Sequence, residues 1–263
     1  MAGAERRRSA ARGRRPRAAA SGAPRRASGR RAARALVVIP ALDEQESLPR
    51  ILEETRRDAP DYDLLVIDDG SRDRTSQVAR AHGVPVVRHP FNLGVGAALQ
   101  TGFRWALEHG YSIAVQLDAD GQHEPRFLDG LTEPLERGDC DVTIGSRYLS
   151  ASGYRAPFFR RAGMMLFSLV VRMALKQRIT DTTSGFRAYG RAVMEVCQHD
   201  FPKDFPDAPL LIALARRGFR LLEVPVQMRE RQAGTSFYTL SKSLYYPYKN
   251  LLASLMAWIQ RAR

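Results

Sequence analysis

Apolar residues along this chain come in short runs separated by amphipathic stretches. Ala35-Leu-Val-Val-Ile39 is a run of strand length, and Pro40 closes it. Glu44 to Arg57 spaces its apolar positions as a helix does. Asp63-Leu-Leu-Val-Ile67 predicts a second strand, closed by Asp68-Asp69-Gly70-Ser71. A helix follows from about Arg74 to Ala81, and Val84 to Val87 is a third strand. Leu93 to Glu108 reads as a helix with Gly110 as its stop. Tyr111 to Leu117 is a fourth strand, closed by Asp118-Ala119-Asp120. A helix with Pro125 in its first turn runs to about Arg137, and Asp141 to Ile144 is a fifth strand. Strands that alternate with helices, and are apolar throughout, imply βαβ units and a parallel sheet covered on both faces. The expected class is α/β, with no internal repeat.

Charge changes this picture only at one end. The 263 residues carry a formal +13, which by itself suits nucleic acid or an anionic membrane. Of the 41 Lys and Arg, 12 lie in residues 1–34 with a single acid, Glu5, so this segment carries +11 and the remainder +2. Residues 1–34 lack Leu, Ile, Val, Phe, Tyr and Trp, so disorder is expected. No apolar stretch follows the arginines, which excludes a secretory or twin-arginine signal. Arg and Ser richness resembles an organellar transit peptide, but an amphipathic period is hard to find. A solvated extension and an electrostatic tether to anionic lipid, at ~1 kcal/mol per basic residue near the surface, both stay open. The near-neutral remainder argues against a nucleic-acid partner.

Cys140 and Cys197 are too few for a disulfide framework or a four-cysteine zinc site, and fit a reducing compartment. No apolar run reaches the ~18–20 residues of a spanning helix. Ala162 to Val171 has ten residues and Leu251 to Ile259 nine. The expected location is cytoplasmic, peripheral on the cytoplasmic face of the membrane.

The chemistry sits where strands end. In open α/β sheets ligands bind beyond the carboxyl ends of the strands, so Asp68, Asp69, Asp118 and Asp120 are expected on one rim. A lone Asp there is usually a helix cap or turn residue. Four together repel unless a cation or donor offsets them. Hard oxygen ligands without a His/Cys cluster point to Mg2+ or Mn2+.

Val37-Val-Ile-Pro-Ala-Leu-Asp-Glu44, Asp68-Asp-Gly-Ser71 and Asp118-Ala-Asp-Gly-Gln-His123, in this order, resemble the family 2 glycosyltransferases of GT-A fold. Asp181-Thr-Thr-Ser-Gly-Phe-Arg-Ala188 and Arg229-Glu-Arg-Gln-Ala-Gly-Thr-Ser236 are similar to the branch of dolichyl-phosphate mannose synthases and other polyprenyl-phosphate glycosyltransferases. The resemblance spans residues 35 to about 250. It implies a Rossmann-like, mostly parallel sheet flanked by helices. The implied division is a disordered tail at 1–34, a catalytic domain at 35–237 and a C-terminal amphipathic helix at 238–263.

The resemblance also implies roles. Pro40, Leu42 and Glu44 would line the base pocket, where relatives often place an aromatic at the Leu42 position. Asp69 would bond the base with Asp68 beside it, and Asn92, Gly94 and Gly96 would approach the donor. Asp118 would face the ribose or metal, and Asp120 with Gln122 would hold the metal bridging the diphosphate. His123 would stand beside them. Arg147 and one of Arg160 or Arg161 would grip the acceptor phosphate. Ser184, Gly185, Phe186 and Arg187 would shape the sugar and acceptor region, and Arg229 and Arg231 would lie on a loop over the diphosphate.

The implied reaction moves a hexose, with inversion, from a nucleotide-sugar donor (GDP-mannose or UDP-glucose) to a polyprenyl-phosphate acceptor. A phosphate monoester, with its second pKa about 6, is already a charged nucleophile and needs placement more than deprotonation. A glycan or protein hydroxyl, the alternative acceptor, would need a base, for which Asp204 and Asp207 are candidates. Pro157 to Lys176 and Tyr238 to Arg263 combine apolar faces, Tyr and Trp, and basic edges, as interfacial helices do. Packing on the core, a membrane-protein partner or a homo-oligomer would use the same faces. A nucleotidyltransferase would need a Gly-rich, Arg-bearing loop after the first strand, which Pro40-Ala-Leu-Asp-Glu44 is not. An aspartyl phosphatase would normally carry Thr or Val where Gln122 stands.

Overall fold

The computed structural model describes residues 34–149, 179–201 and 208–229. The expected helices at 157–176 and 238–263, with Arg160, Arg161, Asp204, Asp207 and Arg231, lie outside them, as do residues 1–33. The described elements are β1 (Ala35–Ala41), α1 (Leu48–Asp58), β2 (Asp63–Asp68), α2 (Thr75–Ala81), β3 (Val86–Arg88), α3 (Val95–Glu108) and β4 (Ile113–Gln116). A 3-10 turn (Pro125–Phe127) leads into α4 (Leu128–Glu136), β5 (Val142–Ser146), β6 (Arg187–Gly190), α5 (Arg191–Cys197), α6 (Ala208–Arg216) and β7 (Leu221–Pro225).

Seven strands form one sheet in the order β3-β2-β1-β4-β6-β5-β7. Every neighbouring pair is parallel except those made by β6, which runs antiparallel to both β4 and β5. β1 has a neighbour on each side and a helical layer on each face, so nearly all of Ala-Leu-Val-Val-Ile-Pro-Ala is buried. Alternate residues of the central strands feed two cores. Leu36, Val38, Leu65 and Ile67 pack with Phe103 of α3, while Val37, Ile39 and Val66 pack with Leu48 and Leu52 of α1. Each buried Leu or Ile contributes ~1.5–3 kcal/mol of transfer free energy.

The five expected strands and four expected helices are present, with shifted ends. Helix α1 starts at Leu48 rather than Glu44, where Pro49 occupies its first turn. Helix α3 starts at Val95 rather than Leu93, because Gly94 has φ +93°. β6, α5, α6 and β7 have no counterpart in the sequence reading. β6 is only Arg-Ala-Tyr-Gly, and its Arg187 is 1% exposed. A strand that opens on a buried cation leaves no apolar signature. Arg34, counted above with the tail, lies over the Tyr111 ring at 4.4 Å and pairs with Asp63 at 3.5 Å. Among the described residues, no helix is long and apolar enough to cross a membrane.

Candidate active site

β1, β2, β3 and β4 run parallel, so their carboxyl ends form one rim, and strand order reverses where β1 lies between β2 and β4. The four predicted acids sit on this rim but in two distinct environments. Asp68, the last residue of β2, is fully buried. One oxygen accepts the Ser71 amide at 2.8 Å, the other accepts the Ser76 hydroxyl and faces Arg88 at 3.6 Å. Burial alone would raise its pKa, but these bonds outweigh it and hold the carboxyl below the usual range. Asp69 accepts the amides of Leu93 and Gly94 at 2.9 and 2.8 Å and faces His89 Nδ1 at 2.7 Å. Each carboxylate oxygen of Asp68 and Asp69 thus meets a protein donor, so at this end of the rim donors rather than a cation offset the crowded acids. The turn after them requires Gly70, which has φ +80° and whose missing Cβ would lie 2.6 Å from the Phe91 carbonyl carbon. Asp69 thus pins the loop carrying exposed Asn92, whose side chain accepts the Gly94 amide at 2.9 Å. Gly96 is buried one position into α3.

Asp118 and Asp120 differ from that pair. The Asp118 side chain is 36% exposed and Asp120 is half-buried. Asp120 accepts the Gln122 amide at 3.0 Å, which closes the loop. Asp118 accepts from Gln116 Nε2 at 2.9 Å, and its own amide donates to His123 Nδ1 at 3.1 Å. His123 is buried and stacks on Phe186, 4.7 Å between ring centres and 10° from parallel. Pro40, Leu42 and Glu44 are half-buried at the end of β1, where Glu44 donates its amide to Thr75 Oγ1 at 2.9 Å.

Arg147 and Arg229 are held by carboxylates, and Arg187 by a main-chain carbonyl. Arg147 grips Asp181 with Nε and a terminal nitrogen, both at 2.7 Å, and reaches Thr183 at 2.9 Å. Asp181 is 1% exposed. Arg187 donates to the Thr182 carbonyl at 2.9 Å, and Ser184 accepts the Phe186 amide at 3.2 Å. Arg229 donates its amide to the Gln122 carbonyl at 2.9 Å, beside the bridge between His123 and Met228. Its guanidinium meets Glu54 at 2.7 Å and Glu124 at 3.5 Å. The segment after β7 is thereby fastened to the Asp118–Gln122 loop. Burial would raise the Glu54 pKa, but bonds from Arg50 and Arg229 hold it below the usual range. Asp181 opens one of the motifs quoted above but was given no role, and Gln116, Glu54 and Glu124 were not singled out. Of these three Gln116 carried a signal, lying two residues before Asp118 at the end of one strand.

The family model for glycosyl transferase family 2 matches residues 36–197, the span that supplies this rim. The chain belongs to that family. This family 2 glycosyltransferase is 35% identical over 216 residues to polyprenol monophosphomannose synthase of Mycolicibacterium smegmatis, covering 77% of this chain and 80% of that one. It is 35% identical over 212 residues to undecaprenyl-phosphate mannosyltransferase of Micrococcus luteus, covering 77% and 86%. Among solved structures, glucosyl-3-phosphoglycerate synthase of Mycobacterium tuberculosis, in complex with Mn2+, UDP-glucose and phosphoglyceric acid, aligns with TM-score 0.63 and 22% identity. The alignment covers 85% of this chain and 79% of that one, and shows a shared fold. The mixed, mostly parallel seven-stranded sheet is thus a GT-A sheet, and the protein is a sugar-transferring enzyme.

Among the described residues, no three His, Cys, Asp or Glu side chains are gathered into a preformed metal cage. Mg2+ is usually held by one or two carboxylates plus substrate phosphates. Asp118, Asp120 and Gln122 supply hard oxygens of that kind.

Proposed function

We propose that this enzyme transfers a hexose from a nucleotide sugar to a polyprenyl phosphate at a membrane surface, with inversion and with a divalent metal. The observation that carries the reading is the partly open Asp118–Gln122 loop at the switch point of the sheet, to which Arg229 is fastened through the Gln122 carbonyl. The relatives' names support the acceptor class and favour GDP-mannose over UDP-glucose as donor.

When bound, Mg2+ or Mn2+ would neutralise charge on the departing nucleoside diphosphate. Asp118, Asp120 and Gln122 would hold it. Pro40, Leu42 and Glu44 would line the base pocket, and Asn92, Gly94 and Gly96 would border the donor. Arg229 would exchange Glu54 for diphosphate oxygens, and Arg231 would join it from the adjoining loop. Ser184 and Arg187 would border the sugar. Arg147, already oriented by Asp181, would present its outer edge to the acceptor phosphate together with Arg161. The acceptor oxygen is ionised near neutral pH, so these groups orient reactants and stabilise charge, and proximity supplies much of the rate.

The test is incubation of membranes containing the enzyme with a panel of radiolabelled nucleotide sugars, followed by organic extraction. The proposal expects enzyme-dependent label in the organic phase from GDP-mannose. Label confined to aqueous or insoluble glycan would overturn it in favour of a hydroxyl acceptor.

A further inference from the structure

We propose that Gln116 and Gly185 are positioning residues that jointly set the Asp118 carboxylate, with His123 fixing the main chain beneath it. The proposal rests on the reading of Asp118 as a donor- or metal-facing group and adds what determines its orientation.

Three contacts carry it. Gln116 Nε2 donates to one Asp118 oxygen at 2.9 Å. The other oxygen lies 2.9 Å from where a Cβ on Gly185 would stand, and Gln116 Nε2 is also 2.9 Å from that point. Gly185 therefore marks a space that the Gln116–Asp118 pair fills. The Asp118 amide, which can only donate, is bound by His123 Nδ1 at 3.1 Å. A singly protonated His123 must then carry its proton on Nε2, which faces the second Asp118 oxygen at 3.6 Å. The imidazole is held flat against Phe186, the neighbour of Gly185. Gln116 stands opposite Arg187 in the β4–β6 register, so the antiparallel strand delivers Ser184-Gly185-Phe186 to this spot.

This predicts an unusual consequence of adding one methyl group. At Gly185 the atoms in its way are the ends of two side chains rather than backbone. The fold can absorb Gly185→Ala by turning Gln116 and Asp118 aside, which displaces the carboxylate while the sheet stays intact. Gln116→Leu removes the donor from the same carboxylate by an independent route.

The experiment uses the full chain with Mn2+ and a nucleoside diphosphate. Mn2+ affinity is read by electron paramagnetic resonance, and the Asp118 carboxylate 13C resonance (assigned through Asp118→Asn) is read without metal. Both Gly185→Ala and Gln116→Leu are expected to shift the Asp118 resonance and weaken Mn2+ binding ~10- to 100-fold, the usual effect of removing a group that orients a metal ligand. Melting temperatures should stay near that of the parent. Gln116→Glu, which places an acceptor against Asp118, should weaken binding at least as much. An unmoved Asp118 resonance in folded variants would overturn the positioning role. A resonance that moves in the variants, with a parent protein that binds no Mn2+, would sustain the positioning role and instead refute the metal reading.

Discussion

At the scale of single residues, the rim separates acids that build the site from acids open to a ligand. Asp68 and Asp69 have every oxygen bonded within the protein, while Asp118 and Asp120 retain exposure. On the proposed metal reading, Asp120→Ala removes a ligand from a charge-stabilising cation worth several kcal/mol, so turnover should fall more than ~1000-fold with unchanged circular dichroism. Arg147→Ala carries a different signature, because it leaves the buried Asp181 carboxylate without its cation. Stability should fall by ~3 kcal/mol in urea melts, alongside any loss of activity. Acid should loosen the fold through Glu54, Asp68 and Asp141, whose pKa values all lie below the ordinary carboxylate value. Their stabilisation is complete only above the unfolded-state values, at about pH 5 and higher, and is lost as pH falls through the lowered values, which a series of thermal melts downward from pH 6 would detect. Burial pushes the Cys140 and Cys197 thiols up to about 11 and about 12. Both should resist alkylation at neutral pH until the protein unfolds.

At the scale of elements, the loop after β2 is the part that tolerates least. Gly70→Ala meets both a positive φ and the Phe91 main chain, so it should destabilise by ~2 kcal/mol or more and release the 89–94 loop, measurable as faster hydrogen exchange at Leu93 and Gly94. The same scale shows what the sequence made legible. β1 and β2 were readable because they are buried on both faces and apolar throughout, and the Asp-rich turns were readable because they follow those runs. β6 was not, because a buried arginine opens it and its partners are set by tertiary pairing with β4 and β5. The resemblance already divided the acids between base and metal, but the bonds that hold Asp68 and Asp69 were not legible. Ser76, His89 and the Leu93 and Gly94 amides reach Asp68 and Asp69 from other elements, and no local spacing reports that.

At the scale of the whole molecule, the +13 charge resolves into a near-neutral catalytic portion and an arginine-rich end. Arg34 belongs to the folded portion through Tyr111 and Asp63, so the natural cut lies after residue 33. Removing residues 1–33 should leave transfer in detergent unchanged within about twofold and lower activity only on anionic membranes. The central claim concerns the acceptor. Purified enzyme should be given GDP-mannose and Mn2+ with either a polyprenyl phosphate or the corresponding free polyprenol, and products weighed by mass spectrometry. The account predicts one hexose added to the phosphate and none to the alcohol. A hexose on the free alcohol, or no product from the phosphate while a glycan acceptor is elongated, would contradict it.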